Sequence, residues 1–215
     1  MARRLDELRR LLDELQRGSS SRSSYQARSE RLQRIQSVKR LVSSSEVVEL
    51  LSGHEENLEE GGEGSSLRFA ECVKHLVDIL DVEMSWADGE HKKSSGRGSS
   101  VQTRVEAAQA LRMTVRTAIR VDAFDSLVGL MVLRFLAKVL AKREAGLTVG
   151  TATSRMKDNT SIVSTMNPAM PGMTTTMDAI VVEELWYLVG DILETHEATR
   201  ARLQLHTTLM REWIR

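Results

Sequence analysis

Paired antiparallel α-helices, with no sheet, are the fold class that three observations predict. Leucines and valines recur at helical spacing along most of the chain. Aromatics make up only 4% and prolines number 2, against abundant Leu, Arg, Glu and Ala, a balance that favours helix formers over strand formers. Glycine- and serine-rich breaks cut the chain into helix-sized lengths. At 215 residues with 41% hydrophobic and 28% charged residues, the chain can bury a core of one or two domains. The 41% hydrophobic share is too high for wholesale disorder, and 28% charged residues with a mean hydropathy of -0.27 argue against a lipid-solvated bundle, so a soluble globular protein is expected.

The first helix is expected over about 3–17, where Leu5, Leu8, Leu12 and Leu15 form one stripe. Gly18 and the serines that follow end it. The second, from about Tyr25, carries Leu32, Ile35, Val38 and Leu41 or Val42 on one side and Arg28, Arg31, Arg34, Lys39 and Arg40 on the remaining arc. Ser43 to Ser45 offer an N-cap for a brief turn from Glu46 to Leu51. The glutamate- and glycine-rich stretch from Ser52 to Ser66 has no apolar period and reads as a solvated loop.

Leu67 to about Trp86 presents Ala70, Val73, Leu76, Val77, Leu80 and Met84 at helical spacing, and Val105, Ala108, Leu111, Val115, Ala118 and Ile119 repeat the pattern. These two segments should pair antiparallel. Phe124 to Lys142 is apolar around most of its circumference, as a centrally placed helix would be. Gly146 to Met177, rich in Thr, Ser and Met, shows no period and reads as a mobile insertion. Two helices close the chain: about Asp178 to His196, with Ile180, Leu185, Trp186, Leu188, Val189 and Ile192 inward, and about Ala198 to Ile214, with Leu205, Leu209 and Trp213 inward. The three tryptophans are expected in the core.

The predicted organisation is therefore a helical motif over 1–52, helical repeat pairs over 67–145, a disordered insertion over 146–177 and a closing helix pair over 178–215, about seven helices in all. Pairs that each cover their apolar face with the next suit an α-solenoid of the HEAT kind with disordered loops, and a closed bundle is the alternative.

Chemistry is sparse. The glycine-rich runs 61–64 and 96–98 have neither a phosphate-loop lysine nor flanking strands. The five histidines make no metal-ligand spacing, and no Gly-x-Ser-x-Gly elbow is present. No catalytic residue, metal or cofactor is expected, and an enzyme within these residues is not. Cys72, alone among apolar neighbours, reads as a buried thiol in a reducing compartment. No signal core or mitochondrial presequence is apparent at the start, and the most apolar window, Phe124 to Leu140, is too short and too charged to span a membrane.

Thirty basic and thirty acidic side chains cancel, so nothing global steers the chain onto nucleic acid or anionic lipid. Locally, residues 1–42 hold eleven Lys or Arg against five acids, and residues 43–66 hold seven Glu and no Lys or Arg. Glu30, Arg31, Arg34, Lys39 and Arg40 are the candidate docking residues, and Leu12, Leu15, Ile35, Val38 and Leu41 should hold the first two helices together. A protein partner, a neighbouring helix or plain solvent can each meet this surface. Direct nucleic-acid contact is not expected, because aromatic stacking residues are missing apart from Tyr25.

The leucine-striped first helix, the run from Ser29 to Val42 and the following Ser-Ser-Ser-Glu-Val-Val-Glu-Leu-Leu together resemble the extreme N-terminus of the ataxia-telangiectasia-mutated (ATM) kinases. That region carries a telomere-length-maintenance and DNA-damage-repair motif, TAN, whose pattern Glu30, Arg31, Ile35, Val38, Arg40, Leu41 and Val42 match. Phe69 to Glu83 and Val101 to Ala123 are similar to the helices that follow it, and Ile192, Leu193 and Trp213 to a closing pair. Leu32-Gln33 stand where the family carries two lysines, and the serine-rich run between the first helices is longer. The resemblance implies an N-terminal, non-catalytic piece of a nuclear serine/threonine kinase of the DNA-damage response and telomere maintenance. Its partners would be DNA-damage or telomere factors and the remainder of the kinase. An unrelated helical adaptor, oligomerising through Leu5, Leu8, Leu12 and Leu15, is the alternative.

Overall fold

The computed structural model describes residues 2–17, 24–52, 67–87, 101–153 and 173–205. All regular structure among them is helical: α1 (Ala2–Arg17), α2 (Ser24–Val42), α3 (Ser45–Ser52), α4 (Phe69–Ala87), α5 (Val101–Arg120), α6 (Ser126–Thr153), α7 (Met173–Thr195) and α8 (Glu197–Leu205). With the short α3 counted as an element of its own, the helices number eight among the described residues.

The polar contacts between helices fix their directions. Arg31 of α2 meets the Leu15 carbonyl of α1, Arg34 meets Glu14, and at the far end Arg4 meets Ser44, so α1 and α2 are antiparallel. Lys39 lies against Glu106, and Ser43 shares a groove with Arg116, so α2 and α5 run parallel. Gln109 bonds Glu184 and Arg116 approaches Asp191, so α5 and α7 are parallel as well. On the other side α1 packs on α4 and α4 on α6. The result is two layers, α1, α4 and α6 in one and α2, α5 and α7 in the other, each pair stacked on the next in the manner of an α-solenoid. Helix α5 is the spine, packed against α2, α4 and α7 and touched by α3.

The apolar periods explain this order. Leu8, Leu12 and Leu15 of α1 and Ile35 and Val38 of α2 are buried against one another and against α4, while Leu5 and Leu41 pack at the edge. Val73, Leu76, Leu80 and Met84 of α4 meet the small stripe Ala107, Ala108, Leu111, Val115 and Ala118 of α5, whose alanines let the two helices approach closely. Leu133 and Leu136 of α6 and Leu185, Leu188 and Ile192 of α7 extend the same core.

Helix α5 ends in a Schellman motif: the Ala123 amide donates to the Ala118 carbonyl at 2.8 Å and the Asp122 amide to that of Ile119 at 3.1 Å. Asp122 pays for the turn with a φ of 55°, left-handed backbone where glycine is the least strained residue. Asp122→Gly is therefore expected to stabilise the fold by about 0.5–1 kcal/mol, read as a higher urea midpoint at unchanged slope. Three residues on, Asp125 caps α6 by accepting the Leu127 amide at 2.5 Å.

Several expectations need correction. The 146–177 insertion is shorter than its Thr- and Met-rich composition suggests, because α6 continues to Thr153 and α7 begins at Met173, directly after Pro171-Gly172. The rest of that stretch, together with Leu209 and Trp213, lies outside the described residues, as does the Trp86 side chain. Trp186 and Ile180 are not inward but 45% and 41% exposed. Leu185, Leu188, Val189 and Ile192 already fill the arc of α7 that faces the core, and Trp186, about 100° round the helix from Leu185, falls outside it. On α8 the inward leucine is Leu203, and Leu205 is 83% exposed.

Cys72 is fully buried, and burial pushes its thiol up from 9.0 to about 12. Alkylation of native protein at pH 8 should run at least about a thousandfold slower than alkylation in denaturant, by mass spectrometry, since only the thiolate reacts. Between pH 9 and 12 the folded chain keeps a proton that the unfolded chain releases, so this group makes stability fall as pH rises through that window.

Candidate docking surface

The basic arc of α2 divides in the folded chain. Arg31 turns inward: its guanidinium pairs with the carboxylate of Glu83 on α4, which is completely buried, and donates to the Leu15 carbonyl at 2.8 Å. One side chain thus ties α1, α2 and α4 together. Arg34 lies 3.3 Å from Glu14 and 3.7 Å from Glu30. Lys39 donates to Glu106 at 3.0 Å and Gln109 at 2.6 Å, and bridges α2 to α5. Arg40 is exposed and, among the described residues, reaches the Gln36 carbonyl of its own helix, at 3.4 Å. Among the five, Arg40 offers the most accessible charge, while Glu30, Arg34 and Lys39 are partly covered and Arg31 belongs to the interior.

The leucine stripe of α1 is also consumed within the chain. Leu8, Leu12 and Leu15 are buried against α2 and α4, and Leu5 is partly buried at the edge.

A second basic row was not singled out in the sequence. Arg112, Arg116 and Arg120 stand at i, i+4 and i+8 on α5 and so share one face of it. Arg112 is saturated: it bonds Asp191 at 2.6 Å and Glu184 at 3.2 Å and stacks 4.7 Å from the centre of the Tyr187 ring. Its partial burial would lower its pKa, but the hydrogen bonds and charges of Asp191 and Glu184 outweigh that, and the net shift is upward. The Tyr187 hydroxyl donates to Glu183 at 2.8 Å, and that bond holds its phenol protonated above its usual range.

Arg116 and Arg120 differ from Arg112. Arg116 is 62% exposed and only 3.7 Å from Asp191, and Arg120 is exposed at the end of the helix. Both line a groove of about 490 Å³ with Ser43 of α2, Met113 and Ile119 of α5, and Asp191 and Thr195 of α7. A smaller recess of about 190 Å³ continues it past Lys39, Arg112 and Glu184. Neither a protein-family model nor a curated protein nor a solved structure matches the chain.

Among the described residues no three His, Cys, Asp or Glu side chains converge as a metal site would require. No helix among them is long and apolar enough to cross a membrane. The groove brings exposed guanidinium donors together with the apolar side chains of Met113 and Ile119.

Proposed function

We propose that this chain is a non-catalytic docking scaffold, the N-terminal helical region of an ATM-like serine/threonine kinase acting in the nucleus in the DNA-damage response and telomere maintenance. Phosphoryl transfer from ATP would belong to the remainder of such a kinase, and these residues would position protein partners. The observation that carries the reading is that four of the seven positions of the family resemblance help assemble the first two helices: Ile35, Val38 and Val42 are buried, and Arg31 joins three helices through Glu83 and the Leu15 carbonyl. What remains outside, Arg40 above all, is then available to partners.

Two experiments test this. An antibody against the chain should detect, in nuclear extract, a polypeptide far heavier than 24.1 kDa that yields kinase-domain peptides on digestion. Detection of a 24.1 kDa species alone contradicts the proposal. In a pull-down, Arg34→Glu with Arg40→Glu should reduce recovery of checkpoint or telomere proteins at unchanged circular dichroism, and unaltered recovery counts against docking through α2. Arg31 is unsuited to charge reversal, because a second carboxylate would then be placed against buried Glu83.

A further inference from the structure

We propose that the groove along α5, between α2 and α7, is a docking site for a short acidic peptide segment with an apolar side chain at its centre. This deepens the scaffold reading and rests on it. Three features point to this ligand class. Among the described residues Arg116 and Arg120 are the groove's exposed cations; its lining carboxylate, Asp191, stands 3.7 Å from Arg116 but is bonded more closely to Arg112, at 2.6 Å. Guanidinium groups left at a groove mouth favour carboxylates, which they hold by paired charge-assisted hydrogen bonds. Met113 and Ile119 line the same groove, and a flexible thioether with a branched alkyl chain accepts apolar side chains of varied shape.

The dimensions and charge pattern separate a peptide from nucleic acid. Arg112 to Arg120 covers about 12 Å of helix, enough for three or four extended residues. A phosphodiester track would need an unbroken row of cations, whereas here Glu184 and Asp191 interrupt the row from the α7 side and Glu106 neutralises Lys39. A peptide can set its acids against Arg116 and Arg120 and avoid those three carboxylates.

The test uses the full chain and a fluorescein-labelled peptide of twelve residues, Asp, Glu and Ser around one central Leu. Expected are saturable binding that weakens with added salt, a shift of the Met113 methyl resonance, and at least about a tenfold loss of affinity in Arg116→Gln/Arg120→Gln. Both positions are exposed, and circular dichroism of the double variant reports that the fold is intact. No binding at 1 mM peptide (about 4 kcal/mol), an unmoved Met113 methyl, or full affinity in the double variant overturns the proposal. Tighter binding of a single-stranded oligothymidylate of equal charge overturns it in favour of nucleic acid. Partner recovery that persists in Arg116→Gln/Arg120→Gln but falls with the α2 substitutions removes the groove and leaves the scaffold reading standing. If the wild-type chain recovers no checkpoint or telomere protein, the scaffold reading falls instead.

Discussion

Replacing Glu83 with alanine is expected to destabilise the chain by about 3–5 kcal/mol, because the Arg31 charge would stay inside the fold without its carboxylate. Glu83 is completely buried and Arg31 is 12% exposed, so little water can take the place of the lost anion. The Leu15 carbonyl still accepts one hydrogen bond from Arg31 but cannot balance a full charge. Urea unfolding should show the loss as a lower midpoint at unchanged slope. Removing both charges, as in Arg31→Met/Glu83→Leu, should recover most of the stability, since an ion pair in the interior is often replaceable by apolar side chains of similar volume. A Glu83→Ala cost below about 1 kcal/mol would mean that solvent screens the pair and that it does not anchor α1, α2 and α4.

Gly129→Ala is the second large effect, and its sign runs against helix propensity. In an open helix interior the substitution would stabilise by about 1 kcal/mol. Here α8 crosses α6 so closely that a Cβ on residue 129 would lie 2.2 Å from the Thr199 hydroxyl oxygen and 2.8 Å from its methyl carbon. Thr199 cannot simply turn away. It is fully buried, and its hydroxyl and amide meet His196 Nδ1 at 2.6 and 3.3 Å, a contact in which the imidazole caps the start of α8. Phe124 packs edge-on against the same ring, at 5.1 Å between centroids. A net loss of about 1–3 kcal/mol is expected, with α8 displaced. Thr199→Ala in the same chain should restore part of it, and a double-mutant cycle with zero coupling would contradict the close approach.

Helix positions and most core residues were legible in the sequence because they depend on local periodicity. The stripe Leu8, Leu12 and Leu15, the alternation along α4 and the buried thiol of Cys72 each follow from spacing within one helix. The role of Arg31 was not, since its partner is 52 positions away and nothing local distinguishes it from Arg34. Trp186 was misplaced for a related reason. Hydrophobicity places a residue on the inward face only when that arc is empty, and four aliphatic side chains of α7 fill it first. The groove arginines did leave a signal, the i, i+4, i+8 series Arg112, Arg116 and Arg120. It was overshadowed by the apolar face of the same helix, and the carboxylates that sort these arginines into saturated and accessible lie on α7, more than 70 positions away.

The central structural claim is that α5 is the spine on which α2, α4 and α7 stack, and native-state hydrogen exchange tests it most directly. Amides in the middle of α5, around Leu111 and Val115, are expected to exchange only through global unfolding, with a free energy equal to that from urea denaturation and higher than for α8. Faster exchange in α5 than in α1 or α8, or release of α1 and α2 as a unit that leaves α5 protection unchanged, would contradict it.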